Sequence, residues 1–251
     1  MKERVALVTG ASGGIGRAVC QRLAAEGTKI AVHYHGNEDA ADETLAALDG
    51  EGHRKVQADL RDAAAVEAMV EHTVQDLGRL DILVNNAGIF KHHPPLEVSY
   101  DEWQQNWQDT LGTNLLGPAN AAWAAARHME SQGDGGRIIN VTSRGAFRGE
   151  PQSPAYGASK AGLNSLSQSL AVALAPHGIM VFAVAPGFVE TAMARPYLTG
   201  EMADAIRNQS PLGRVATVDD VAYWVACFAA PEAAFATGAV IDVNGASYLR
   251  T

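Results

Sequence analysis

The chain has 251 residues, a mass of 26.4 kDa, 47% apolar residues and a formal net charge of -9. That apolar share supports a large core. The acidic balance argues against broad contact with nucleic acid or an anionic membrane surface, while leaving room for a local basic pocket. Cys20 and Cys227, the two cysteines, fall within helical apolar patterns and read as core filler, forming neither a disulfide framework nor a zinc site. No linker, low-complexity tract or repeat interrupts the sequence, so one domain over residues 1–251 is expected. Met1-Lys2-Glu3-Arg4 runs straight into an apolar strand and does not read as a signal peptide. The late run from Val221 to Ala230 is too short to span a bilayer, and the expected location is the cytoplasm.

Val5-Ala6-Leu7-Val8 predicts a short strand. It meets Thr9-Gly10-Ala11-Ser12-Gly13-Gly14-Ile15-Gly16, and an amphipathic helix follows from Arg17 to about Glu26. Strand, glycine-rich turn and helix in this order form a dinucleotide-binding arrangement. Gly10 permits the tight turn, Gly14 lets backbone approach a pyrophosphate, and Gly16 allows close packing of helix on sheet. Amides at the helix N-terminus then face the phosphates. The second strand, Lys29 to Tyr34, runs into His35-Gly36-Asn37. An NAD-preferring fold usually has a carboxylate here for the ribose 2′-hydroxyl. None occurs before Glu38, and His33, His35 or Asn37 could donate to a 2′-phosphate, so the region leans to NADP with NAD not excluded. The two histidines read equally well as strand-end surface residues.

A helix from about Asn37 to Leu48, a strand over 54–58 and a helix from about Ala63 to Leu77 come next. Asp59-Leu60 ends the strand and could meet an adenine edge; Asp59 competes with Asp62 as the helix N-cap. Leu80 to Val84 is the fourth strand, ending in Asn85-Asn86-Ala87-Gly88, whose small residues suggest close approach to a ligand. Lys91-His92-His93 reads as a solvated loop and a poor metal site without further ligands. From Ser99 to about Gln132 the chain is mostly helical. Asn114, a poor helix former, sits in its middle and reads either as a functional irregularity or as a solvent-facing residue. The stretch Ala121 to Ala126, with Trp123, is an apolar face, for the core or for a subunit contact.

An apolar strand over 137–142 delivers Ser143, and Pro154 opens a helix that runs to about Ala175. Tyr156 and Lys160 lie one turn apart on one face of that helix. A free tyrosine titrates near ~10, and a nearby cation lowers that value. Ser143 by hydrogen bond and Tyr156 as proton donor could together hold a carbonyl oxygen, which is general acid/base chemistry on a C–O bond. The plainer reading is a surface tyrosine over a solvated lysine. Gly178 to Val184 is the sixth strand and Pro186 to Thr191 a rigid turn at its end. Residues 193–214, with Pro196, Gly200, Pro211 and Gly213, read as an irregular mobile lid. A helix from about Val218 to Ala230 and a last strand over 239–243 complete an alternation that predicts a doubly wound, parallel α/β sheet of seven strands.

Thr9-Gly10-x-x-x-Gly14-x-Gly16, Asn85-Asn86-Ala87-Gly88, Asn114, Ser143, Tyr156-x-x-x-Lys160 and Pro186-Gly187 with Thr191 resemble the short-chain dehydrogenase/reductase family over essentially the whole chain. The resemblance implies a Rossmann fold, a nicotinamide cofactor and no metal. It implies that Tyr156 is the catalytic acid/base, that Lys160 lowers its pKa and bonds the nicotinamide ribose, and that Ser143 orients the carbonyl. Asn114 would hold a water of a proton relay. Gly10, Gly14 and Gly16 would bind the pyrophosphate, Asp59 the adenine, Asn86 the adenosine side, and Val189 and Thr191 the carboxamide. Ser12, Ile15, Tyr34, His35, Leu60, Ala87, Gly88, Pro186 and Gly187 would be further cofactor contacts. The family's usual assembly is a homotetramer.

Ala185 to Thr191, Pro211-Leu212-Gly213-Arg214 and Asp242-Val243-Asn244-Gly245 are similar to the β-ketoacyl carrier-protein reductases, which reduce a 3-oxoacyl thioester with NADPH. Two features depart from that pattern. Gly13 stands where many such reductases have arginine. The places that present basic residues to an acidic carrier protein read Glu130-Ser131-Gln132-Gly133-Asp134 and Ala175-Pro176-His177-Gly178, which would dock such a carrier poorly. Lys91, His92, His93, Arg144 and Arg148 offer some positive charge, for a carrier, a small acidic substrate or neither. Another alcohol, sugar or polyketide-like ketone is the alternative substrate. A cofactor sensor without turnover is disfavoured by the intact Asn114, Ser143, Tyr156 and Lys160 set. A serine hydrolase is disfavoured because Ser143 lacks a Gly-x-Ser-x-Gly elbow.

Overall fold

The computed structural model describes residues 3–199 and 202–250. Seven strands form one parallel sheet in the order β3-β2-β1-β4-β5-β6-β7: β1 Val5–Val8, β2 Lys29–Tyr34, β3 Arg54–Gln57, β4 Ile82–Asn85, β5 Gly136–Val141, β6 Ile179–Pro186 and β7 Val240–Val243. β1, β4 and most of β5 and β6 are buried on both faces, which is why they read as unbroken apolar runs. The order reverses between β1 and β4, with Val8 in register with Val84. The carboxyl ends of these two strands therefore open a crevice, where ligands bind in this class of sheet.

Helices cover both faces. α1 (Gly14–Ala25) packs with α8 (Val218–Ala229) on one side, over a core that includes the stacked rings of Phe182 and Phe228, 4.5 Å apart. α3 (Ala63–Leu77) and α5 (Gly117–Gln132) cover the other side, over Leu7, Leu83 and Ile138, with Met129 of α5 in the same core. α2 (Glu38–Ala46) flanks β2 and is capped by Asn37, whose side chain accepts from the Ala40 amide. Asp62, not Asp59, caps α3, accepting from Ala64 and Ala65.

The helix expected from Ser99 to Gln132 is three pieces. α4 (Tyr100–Leu111) starts on a capping box of Ser99 and Glu102, a π-helical segment spans Gly112–Leu116, and α5 follows with Pro118 in its first turn. α6 (Pro154–Leu174) carries Tyr156 and Lys160. The stretch expected as an irregular lid is more ordered than that: Arg195–Tyr197 forms a 3-10 turn and α7 spans Met202–Arg207. Gly200, like Met1 and Lys2, lies outside the described residues. Among the described residues no helix is long and apolar enough to cross a membrane.

Candidate active site

The ends of β1 and β4 are laced together by side chains. The Thr9 hydroxyl accepts from the amides of Asn86 and Ala87 at 3.0 and 3.1 Å, and the Asn86 amide donates to the carbonyls of Thr9 and Gly10 at 2.9 and 3.2 Å. Asn86 thus shapes the glycine turn with its side chain. Gly10 has φ +63°, and a Cβ there would lie 2.8 Å from Ala87 Cα; a Cβ at Gly16 would run into the Gly10 carbonyl. Ser12 and Ile15 flank this turn. α1 has no side-chain cap and no acidic residue in its first turn, so its leading amides remain for an anion. The turn therefore fits the pyrophosphate of a dinucleotide, a group the chain would hold through backbone N–H groups.

At the far end of that crevice the structure corrects two readings of His33. It neither faces solvent nor serves a phosphate: it is buried, Nδ1 accepts from the Gly10 amide at 3.0 Å, and Nε2 lies 3.2 Å from the Ala58 carbonyl. Burial pushes its pKa down to about 4, so the ring is neutral and the tautomer is Nε2–H. Tyr34 ends β2 and His35 is exposed beside it, 3.7 Å from Asp59, but a carboxylate stands close to Tyr34 too. Glu38 hydrogen-bonds the Tyr34 phenol and is matched by Lys55 at 2.7 Å, which also holds Asp42. Asp59 carries a forked Arg61 guanidinium, 2.7 Å at the closest, which pulls its carboxyl down to about 2. Its reach toward an adenine competes with that ion pair. The Leu60 side chain is turned into the core, so any ligand contact there is through backbone.

The residues expected to react converge at the ends of β4 and β5. Asn114 sits in the π-helical segment and is fully buried, so the solvent-facing reading fails. Its Oδ1 accepts from the Ile89 amide at 2.8 Å, and Nδ2 donates to the Ile89 carbonyl at 3.0 Å and to Ser159 Oγ at 3.2 Å. Both donors are thus committed to protein, which leaves a lone pair on Oδ1 for a water. Gly88 lies beside it: a Cβ at Gly88 would stand 3.4 Å from both Asn114 Oδ1 and Lys160 Nζ. Lys160 is also buried, not solvated, and Nζ donates to the Val141 carbonyl at 2.8 Å. Ser143, the residue before a 3-10 turn at Arg144–Ala146, accepts from the Gly145 amide at 2.9 Å and hydrogen-bonds the Tyr156 phenol.

The electrostatics run opposite to the expectation. Burial lowers Lys160 to about 8, and its Nζ stands 5.9 Å from the Tyr156 ring centroid. Burial raises the Tyr156 phenol above its ordinary value; the Ser143 hydrogen bond opposes this and the Glu150 carboxylate adds to it. In the ligand-free chain Tyr156 is therefore a firmly protonated phenol. Glu150, itself pushed up by burial, was not singled out in the sequence; its placement depends on the turn that folds it against Gly145 and Gly157. Three aromatic rings were also missed. Phe90 stands edge-on to Tyr156 at 4.9 Å, and Tyr197 stands 6.2 Å from Phe90 and 6.3 Å from Phe188. They lie at separations of many residues, which no local pattern signals.

Next to these residues, Pro186 ends β6, the Gly187 amide donates to the Val243 carbonyl at 3.1 Å, and buried Val189 bridges to Ala216. Thr191 comes back to the glycine turn, with Cγ2 3.4 Å from where a Gly14 Cβ would be. Two sources of positive charge are used up internally. Arg144 is buried, donates to Gln209 and Ser247, and lies over the Phe188 ring; Lys91 pairs with Asp109 at 2.6 Å. The loop expected to be solvated holds His92 outside but buries His93 completely.

A family model described as enoyl-(acyl carrier protein) reductase matches residues 10–246. A 3-oxoacyl-[acyl-carrier-protein] reductase, FabG, of Staphylococcus aureus is 39% identical over 97% of this chain and 98% of its own length. The FabG of Staphylococcus epidermidis is 38% identical over 98% of this chain and all of its own. Among solved structures, a dehydrogenase/reductase from Sinorhizobium meliloti aligns with TM-score 0.89 and 37% identity over 99% of this chain and 96% of its own. Acetoin dehydrogenase YohF from Salmonella typhimurium aligns with TM-score 0.85 and 33% identity over 97% and 95%. With this fold, this crevice and these relatives along its length, the chain belongs to the short-chain dehydrogenase/reductase family of oxidoreductases.

Proposed function

We propose that the chain reduces a ketone to a secondary alcohol, with Tyr156 as proton donor, NADPH as the preferred cofactor and a 3-oxoacyl thioester as the substrate class. The observation that carries this reading is a protonated phenol, hydrogen-bonded to Ser143, beside a buried lysine at the carboxyl end of β5. The ketone oxygen would accept from Ser143 and Tyr156 together. A bound nicotinamide supplies the hydride. Negative charge then develops on the oxygen, and Tyr156 transfers its proton there. Lys160 would hold the ribose and, with a water on Asn114, return a proton to the phenolate. A phenol held above its ordinary pKa suits reduction, which needs the protonated form.

The substrate class is supported by the FabG relatives. An NADP preference is supported by exposed His35 and opposed by Glu38, whose partner Lys55 is shared with Asp42. A carrier-linked substrate is supported by the same relatives but opposed by the surface, where Glu130 faces His177 at 2.8 Å in place of a basic patch. A second reading, a small ketone or diketone, is favoured by the chain of rings that runs from Phe90, against Tyr156, through Tyr197 to Phe188 and by the acetoin dehydrogenase likeness. We further infer a homotetramer in the cytoplasm; exposed Leu116, Trp123 and Val172 give the helical faces apolar surface to bury. The test is consumption of NADPH and NADH at the nicotinamide absorbance, with acetoacetyl-CoA and with diacetyl. Rapid NADPH loss with acetoacetyl-CoA supports the first reading, and turnover of diacetyl alone supports the second. Turnover of neither, with tight cofactor binding, would overturn both.

A further inference from the structure

The helix that carries Tyr156 and Lys160 is not capped by its own N-cap residue. Ser153 occupies that position, but its hydroxyl donates to the Lys91 carbonyl at 2.8 Å and bonds no helix amide. Pro154 has no N–H to satisfy, so the first orphan donor of α6 is the amide of Ala155. That amide donates to His93 Nε2 at 3.2 Å, from a loop 62 residues earlier in the chain. His93 is 0% exposed, and its Nδ1 lies 2.7 Å from the Lys91 carbonyl. A carbonyl can only accept, so Nδ1 carries the proton and Nε2 is the bare acceptor. The backbone completes the clamp, with the His93 amide donating to the Gln152 carbonyl at 2.8 Å. The Trp103 ring stands 5.7 Å away and closes the site.

The same loop reaches the reacting residues just before His93. Ile89 is gripped on both backbone groups by Asn114, Phe90 stands against the Tyr156 ring, and Lys91 is anchored by Asp109. Ala155 immediately precedes Tyr156. We propose that His93, as its Nδ1–H tautomer, is a positioning residue: it caps α6 from outside and fixes the start of that helix, and with it the Tyr156 phenol, against Ser143. It touches neither substrate nor cofactor and acts through Ala155. The proposal rests on Tyr156 as proton donor, and its tests separate the two ideas.

The first test needs no turnover. Nitrogen NMR of protein labelled in histidine, with the His93 signal assigned by its absence in His93→Gln, should show a protonated Nδ1 and an unprotonated Nε2 near neutral pH. An Nε2–H ring or an imidazolium would overturn the cap. The second test is kinetic. His93→Leu, which removes both ring bonds, should lower kcat for ketone reduction by roughly tenfold to a hundredfold while the Kd for NADPH moves less than about threefold, because the misplacement falls on the phenol and not on the glycine turn. His93→Gln, whose carbonyl oxygen can accept from Ala155, should recover most of kcat. Equal kcat in His93→Leu and wild type would overturn the proposal and leave Tyr156 as the donor. Loss of kcat together with NADPH binding, unrelieved in His93→Gln, would also overturn it in favour of general loss of structure.

Discussion

Lys160 is a charge that the fold tolerates at a cost, and its removal should separate stability from activity. Burial to 4% exposure pulls its pKa from the ordinary 10.5 to about 8, with no carboxylate partner beside it. At about 1.4 kcal/mol per unit, keeping it protonated at pH 7 costs the ligand-free protein about 3 kcal/mol. Lys160→Met removes that cost and fills much the same volume. It also deletes the bond from Nζ to the Val141 carbonyl, worth about 1–2 kcal/mol as a newly unpaired acceptor, and a weak cation–π contact at 5.9 Å. The net expectation is a gain of about 1 kcal/mol, or a melting temperature about 2–4 °C higher for a chain of this size. The folded pKa lies below the unfolded one, so the unfolded chain binds the extra proton between about 8 and 10.5, and this group's penalty fades as pH rises through that window. Urea unfolding of the ligand-free proteins, at one protein concentration, should show the variant ahead at pH 7 and level with or behind wild type near pH 10. Ketone reduction by the variant should be lost at both. A variant about 2 kcal/mol less stable than wild type at pH 7, or a difference unchanged between the two pH values, would mean that the buried Lys160 charge carries no such cost.

Gly13 has extended backbone that any residue adopts, with no atom within 4 Å of where a Cβ would stand. Gly13→Arg should therefore fold normally and raise the NADPH over NADH preference in kcat/KM by about tenfold, the worth of one charge-assisted bond to a 2′-phosphate; an unchanged ratio would place that phosphate elsewhere. Glu150 helps hold the Tyr156 phenol above its ordinary pKa. Glu150→Gln removes a negative charge that opposes phenolate, so the alkaline limb of ketone reduction should move to lower pH; a limb that stays or rises would remove Glu150 from the electrostatics.

The fold was legible because its signals are local. β1, the glycine turn and α1 follow one another within a few residues, and α3 lies over 63–77 as expected, with Asp62, of the two competing caps, at its start. Asn114 was legible as an inconsistency, a poor helix former in a helical run, and the π-helical segment is its structural form. What was missed depends on tertiary placement. A histidine at a strand end and another in a polar-looking loop carry no mark that both will be buried with each ring nitrogen bonded to backbone. The reversed electrostatics at Tyr156 have the same origin: spacing brings Lys160 to the same helix face, but desolvation, which spacing does not encode, outweighs the cation. Arg144 and Lys91 were read as available charge because their partners, Ser247, Gln209 and Asp109, are distant in sequence.

The proposed chemistry turns on the Tyr156 phenol delivering its proton to a ketone oxygen. Tyr156→Phe deletes one oxygen from a site whose cofactor crevice is built elsewhere, from Thr9, Gly10, Asn86 and the start of α1. The most direct measurement is NADPH oxidation with acetoacetyl-CoA by wild type and Tyr156→Phe, alongside NADPH binding followed by fluorescence. Tyr156→Phe should lose at least a thousandfold in kcat, on the order of 4 kcal/mol in the barrier, with the NADPH Kd within about threefold of wild type. Turnover by Tyr156→Phe within tenfold of an active wild type would contradict Tyr156 as the donor.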